Sequence, residues 1–116
     1  MVIGMSFVTT LGLTAANVVG ASRANDVSRS VTANQLKPTA CAALNLVSVF
    51  IGANGDAQAN LVLGLSSGET RDGGGGDDCV LGGGGDDALR GGTGVDICIG
   101  GPGTDVFHPN CETQIQ

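Results

Sequence analysis

Residues 73–108 divide into four consecutive nonapeptides, GGGGDDCVL, GGGGDDALR, GGTGVDICI and GGPGTDVFH. Positions 1, 2 and 4 are glycine in every unit, and position 6 is aspartate in every unit: Asp78, Asp87, Asp96 and Asp105. Position 8 is Val80, Leu89, Cys98 or Phe107. A merely flexible linker has no physical reason to keep such a register, so the chain is read as a stack of short repeating units.

Each position has a structural demand behind it. The first six residues of a unit turn the chain sharply, and glycine tolerates positive φ and lets carbonyls point into the turn without a Cβ clash. The last three residues form a short strand whose side chains alternate, position 8 inward and positions 7 and 9 outward. One unit cannot bury its single apolar side chain, so units must stack. Composition agrees: 21 glycines, three Phe, no Trp and no Tyr leave no means of building a bulky core. The expected fold is all-β.

Stacking brings the position 6 carboxylates and several carbonyls together, which is repulsive unless a cation joins them. A hard ion with flexible, oxygen-only coordination suits the arrangement, and Ca²⁺ takes six to eight oxygens at about 2.3–2.6 Å. Mg²⁺ demands a stricter octahedron and retains water, so it fits less well. Charge distribution points the same way. Residues 1–58 carry a net +1 and residues 59–116 a net −7. An acidic half without basic patches excludes nucleic acid and anionic membranes as expected partners.

The tandem matches the nonapeptide GGxGxDxUx and resembles the RTX, or hemolysin-type, calcium-binding repeat family. The match covers residues 73–108, about a third of the chain. It implies a parallel β-roll, a right-handed β-solenoid in which two nonapeptides make one coil and turns two repeats apart share an ion. By that resemblance Asp78 pairs with Asp96 and Asp87 with Asp105, two or more Ca²⁺ being held. Carbonyls near Gly74, Gly76, Gly83, Gly85, Gly92, Gly94, Gly101 and Gly103 complete the shells. Continuing the register backwards gives GLSSGETRD (64–72) and GDAQANLVL (55–63). These read as degenerate coils with weaker metal positions at Glu69 and Asn60, Glu69 joining Asp87 in a third site. Arg71 falls at an inward position there and pairs with Glu69 or Asp72, or lies at the surface. Asp77 and Asp86, at position 5, read as solvated acids, and His108 as a loop residue.

The expected organisation is a signal peptide or apolar N-terminal segment over 1–24, then a linker and N-terminal cap over 25–54. The roll follows over 55–108, with a C-terminal cap or tail over 109–116. The N-terminal segment has no charge before Arg23 and a small-residue cleavage pattern at Val19-Gly20-Ala21, with a second at Ser22-Arg23-Ala24. A secretory signal, an uncleaved anchor and an ordinary apolar helix are the readings open to it, and only the anchor implies a membrane. The apolar run CAALNLVSVFIG (41–52) reads as a strand or two, or a short helix, capping the roll.

Cys41, Cys79, Cys98 and Cys111 include no CxxC pair, and His108 is the one histidine, so zinc is poorly supported. Disulfides fit an exported chain. In the stacked register implied by the family, Cys79 at position 7 faces outward and Cys98 at position 8 inward, which disfavours a bridge between them. Cys111 returns beneath the repeat 91–99 and reaches Cys98, leaving Cys41 to tie the cap to Cys79.

Large RTX toxins and proteases have few cysteines and use a different export route. The resemblance is therefore to small secreted hemolysin-type calcium-binding proteins. No HExxH occurs, and the chain is not read as an enzyme. The expected function is that of a secreted calcium-binding protein whose folding depends on the ion. The alternative is a cell-surface or matrix interaction module in which Ca²⁺ only rigidifies the scaffold. Outward Ile97, Ile99 and Val106 favour a partner or self-association.

Overall fold

The computed structural model describes residues 30–116; the signal-peptide expectation for 1–24 lies outside them. From residue 48 onward, eight short strands wind into a two-sheet parallel solenoid. The first sheet contains β1 (Ser48–Ile51), β2 (Asn60–Leu63), β4 (Cys79–Leu81), β6 (Ile97–Ile99) and β8 (Thr113–Ile115), in that spatial order. The second contains β3 (Thr70–Gly75), β5 (Ala88–Thr93) and β7 (Val106–Phe107). Every pairing is parallel, and Val80 sits opposite Cys98 as Leu89 sits opposite Phe107. Two nonapeptides therefore make one coil, and consecutive strands alternate between the sheets.

Between the sheets lies a thin core made by position 8. Val62, Val80, Leu89 and Cys98 are buried there with Cys111, and Phe50 and Phe107 pack against them. One apolar side chain per strand suffices because the glycine turns bring the sheets close together. Phe50 shows that the roll begins earlier than expected. β1 pairs in register with β2, Phe50 against Val62, and so contributes a strand before residue 55.

The outer face of the five-stranded sheet corrects the expectation for positions 7 and 9. Leu61, Cys79 and Ile97 are buried, not solvent-facing. They share a second apolar cluster with Ala33, Cys41, Leu44 and Leu46, against which Leu81 and Ile99 also pack. The covering segment includes a one-turn helix, Ala33–Leu36, and a 3₁₀ turn, Thr39–Cys41. Residues 31–40 are thus part of the cap rather than a linker. Thr32 N–H donates to Gln35 Oε1 at the helix start. Asn34 clamps Leu46 in both directions, its Nδ2 donating to the Leu46 carbonyl and its Oδ1 accepting the Leu46 N–H, each at 3.0 Å. Lys37 Nζ donates to the Leu44 carbonyl. A sheet buried on both faces carries near-continuous apolar strands, and Leu61-Val62-Leu63, Cys79-Val80-Leu81 and Ile97-Cys98-Ile99 have that character. Among the described residues nothing covers the outer face of the other sheet, and Val106 is 66% exposed there.

Two disulfides join Cys41 to Cys79 and Cys98 to Cys111. The first fastens the cap to position 7 of β4. The second closes the far end of the inner core. Among the described residues no helix is long and apolar enough to cross a membrane.

Candidate metal centre

The turns between strands form two stacks. One runs through Asn60, Asp78 and Asp96, the other through Glu69, Asp87 and Asp105. Within each stack, every position 6 backbone N–H donates to the carboxylate one coil further on. Asn60 N–H meets Asp78 Oδ1 at 2.7 Å, Asp78 N–H meets Asp96 Oδ1 at 2.8 Å, Glu69 N–H meets Asp87 Oδ1 at 2.8 Å, and Asp87 N–H meets Asp105 Oδ1 at 2.8 Å. A buried N–H must find an acceptor, and the aspartate supplies it across coils. Half of each carboxylate is thereby committed to joining the stack.

The other half is not committed. Asp78, Asp87 and Asp96 are buried, and among the described residues the Oδ2 atom of each has no hydrogen-bond partner. Leaving a buried acceptor unmet costs about 1–3 kcal/mol, and more where it is charged. These oxygens point into the turns. A Cβ built on Gly82 would sit 2.5 Å from Asp87 Oδ2 and 2.8 Å from the Gly100 carbonyl oxygen. Gly73 stands in the same way to Asp78 Oδ2 and the Gly91 carbonyl, and Gly91 to Asp96 Oδ2 and the Asn110 carbonyl. Carboxylate and carbonyl oxygens from successive coils therefore converge in a space that only glycine leaves free.

The glycines of the expected ligand set, Gly74, Gly76, Gly83, Gly85, Gly92, Gly94, Gly101 and Gly103, all have positive φ. At Gly92, φ is 113° and an added Cβ would strike the Gly74 carbonyl one coil below. Close stacking of bare backbone is what brings these carbonyls beside the aspartates.

Electrostatics mark the same atoms. Burial pushes Asp78 up to about 7; the Asn60 N–H opposes the rise, and the Asp96, Asp56 and Asp77 carboxylates reinforce it. Asp96 is raised too, by burial first and then by Glu112, Asp77 and Asp72, against the stabilising N–H of Asp78. A carboxylate whose proton affinity is raised by burial and by like charges is one whose ionised form a cation would favour.

The weaker candidates differ in a specific way. In both degenerate turns the position 6 oxygen is already engaged by the N–H of position 2. Asn60 Oδ1 accepts from Asp56 N–H at 2.7 Å and Glu69 Oε1 from Leu65 N–H at 3.2 Å. Glu69 is also ion-paired with Arg71, whose guanidinium supplies a positive charge from within the chain. Asp72 pairs instead with Arg90.

Asp77 and Asp86 are exposed, yet each does more than face solvent. Their Oδ1 atoms accept the N–H groups of Val95 and Thr104 in the next coil, at 2.9 and 2.8 Å. His108 is exposed and its Nδ1 lies 2.9 Å from Asn110 Oδ1, a loop contact. Glu112 is a site residue the repeat does not announce: its Oε2 accepts the Asp96 N–H at 2.8 Å and so ends the first stack as another aspartate would. β8 pairs Thr113 with Ile97, sixteen residues apart rather than eighteen, so the last turn is two residues short and Glu112 falls outside the nonapeptide frame.

Among the described residues no three His, Cys, Asp or Glu side chains gather as a metal cluster. The oxygens that converge are one carboxylate per turn with backbone carbonyls, a donor set that suits Ca²⁺ and offers nothing to a soft transition metal. Comparison of the chain with protein-family models, curated proteins and solved structures gave no match.

Proposed function

We propose that this chain is a calcium-binding β-roll whose stability depends on the ion. The observation that carries the reading is the set of buried, partnerless Oδ2 atoms on Asp78, Asp87 and Asp96. Asp78 and Asp96 would hold one ion with the carbonyls of their turns, and Asp87 and Asp105 another. Bound Ca²⁺ supplies the positive charge that these oxygens otherwise lack. The chain's own contribution is to present the oxygens: the cross-coil N–H bonds orient each carboxylate, and the glycines leave room for carbonyls beside it.

Two disulfides are consistent with an extracellular protein, and with the apolar N-terminal sequence they support secretion. Extracellular modules commonly bind Ca²⁺ with Kd of about 10⁻⁴–10⁻³ M, which sets the range over which an exported roll would fill. An ion that binds only the folded state adds about 1.4 kcal/mol per site at ten times Kd. Thermal unfolding followed by far-UV circular dichroism tests this directly. Millimolar Ca²⁺ should raise Tm well above its value in excess chelator, whereas equal Tm values, with no heat of binding, would refute the reading.

The interaction-module reading keeps one observation in its favour. The outer face of β3, β5 and β7 is uncovered, with Val106 exposed. Ile97 and Ile99, packed against the cap, no longer support it. Light scattering over a concentration series distinguishes a self-associating module from a monomeric calcium binder.

A further inference from the structure

The exception among the four repeat aspartates is Asp105, and the reason is Gln116. The Gln116 side-chain amide Nε2 lies 2.8 Å from Asp105 Oδ2, 3.1 Å from the Gly103 carbonyl and 3.2 Å from the Gly101 carbonyl. These are the position 6 carboxylate and the position 4 and position 2 carbonyls of a single turn. Asp105 Oδ2 thus has a donor, while its counterparts on Asp78, Asp87 and Asp96 have none.

Three oxygens around one amide nitrogen exceed what the amide satisfies, because an NH₂ group has two hydrogens. One of the oxygens is a carboxylate, which favours full positive charge over a neutral dipole. The same trio suits a divalent ion better. Water can complete its shell, since among the described residues no further coil of this stack lies above the turn.

The geometry points to Gln116 as a built-in plug in a further divalent-cation site on the outer side of this last described turn, formed by Asp105 Oδ2 and the Gly101 and Gly103 carbonyls and separate from the ion that Asp87 and Asp105 would share between their coils. The inference rests on reading the glycine–aspartate turns as calcium sites. It goes beyond that reading by assigning this turn a competitor within the chain. The amide is tethered just past β8 and is present at high effective concentration, so Ca²⁺ must displace it. The terminal turn therefore fills last. Gln116 sets how much calcium the roll takes up at a given concentration.

Calorimetric titration with Ca²⁺ compares wild type with Gln116→Ala and Gln116→Glu. Gln116 is exposed, and circular dichroism at saturating Ca²⁺ checks that each variant retains the fold. Gln116→Ala should bind one more ion per chain than wild type over the range that fills the inner turns. Gln116→Glu should bind that ion tighter still, because a carboxylate replaces the competing donor. In ¹⁵N-labelled wild type, the Gln116 side-chain NH₂ resonances should stay fixed while the inner turns fill and move only at higher Ca²⁺. If wild type binds ions but both variants bind the same number with the same affinity, the plug is overturned and the calcium-roll reading stands. If no variant and no wild type binds Ca²⁺, both fall together.

Discussion

The backbone N–H of Asp78 donates to Oδ1 of Asp96, eighteen residues further along the chain, at 2.8 Å. This one bond links the repeat to its chemistry. It holds successive coils in register, and it turns the second oxygen of Asp96 into the turn, where no protein group meets it. One oxygen of the carboxylate thus joins the coils, and the other is left for the ligand role proposed for it.

That division can be tested by Asp78→Asn. Asparagine keeps an acceptor for the Asn60 N–H and removes the buried negative charge; the chain already uses Asn60 at the equivalent position. In excess chelator near neutral pH the variant should be as stable as wild type or more so. In millimolar Ca²⁺ it should be less stable and bind one ion fewer. Asp78→Ala, which also removes the acceptor, should lose a further 1–3 kcal/mol or so in both conditions. Paired melts with and without Ca²⁺, alongside calorimetric stoichiometry, give all three results. An unchanged ion count in Asp78→Asn contradicts the site.

Calcium-free protein should have an unusual dependence on pH. Asp78 is raised to about 7 in the folded chain, and Asp96 is raised as well, against about 3.9 for an unfolded aspartate. The folded state therefore binds more protons than the unfolded state within this interval. Stability is full at the acidic end and declines as pH climbs from about 4 through about 7. Melts in calcium-depleted buffer should show a higher Tm near pH 5 than near pH 8. Saturating Ca²⁺ should abolish or invert that slope, because the ion takes the place of the proton.

Gly92 and Gly84, eight residues apart in consecutive repeats, should respond oppositely to Gly→Ala exchange. Gly92 has φ of 113° and its new Cβ would strike the Gly74 backbone. Backbone strain of this kind costs about 1–3 kcal/mol before the clash is counted. At Gly84 the nearest atom to a new Cβ is Ser66 Cα at 3.6 Å, an ordinary contact. Gly84→Ala should fall within about 0.5 kcal/mol of wild type, and denaturant midpoints will show whether the two separate.

The disulfides should fail in different ways. Cys41–Cys79 spans 38 residues and Cys98–Cys111 spans 13, so chain-entropy arguments assign them about 4 and about 3 kcal/mol. Replacing Cys41 and Cys79 by alanine should also loosen the cap from Leu61 and Ile97, exposing apolar surface to a hydrophobic dye. Replacing Cys98 and Cys111 by alanine opens the end of the inner core and should lower Tm with less dye binding.

What the sequence determined by itself is the periodic part of the protein. Glycine at positions 1, 2 and 4, aspartate at 6 and an apolar residue at 8 act over one turn or one strand, so a nine-residue pattern carries the turns, the strands and the thin core, while the stacking of Asp78 on Asp96 followed from the family resemblance. The alternation of side chains also carried the pairing of the cysteines. Tertiary structure alone decided the contacts that break the period. Ile97 and Cys79 do point away from the inner core, but whether that face meets water depends on the cap docking there through Leu44, Leu46 and Cys41. The continuous apolar strands of that sheet were a legible sign of a second covered face; the identity of the cover was not. Glu112 and Gln116 reach their turns because the last return of the chain is two residues short. An oxygen's freedom to take an ion depends on which N–H reaches it across eighteen residues, and Asn60 and Glu69 differ from Asp78 and Asp87 for that reason.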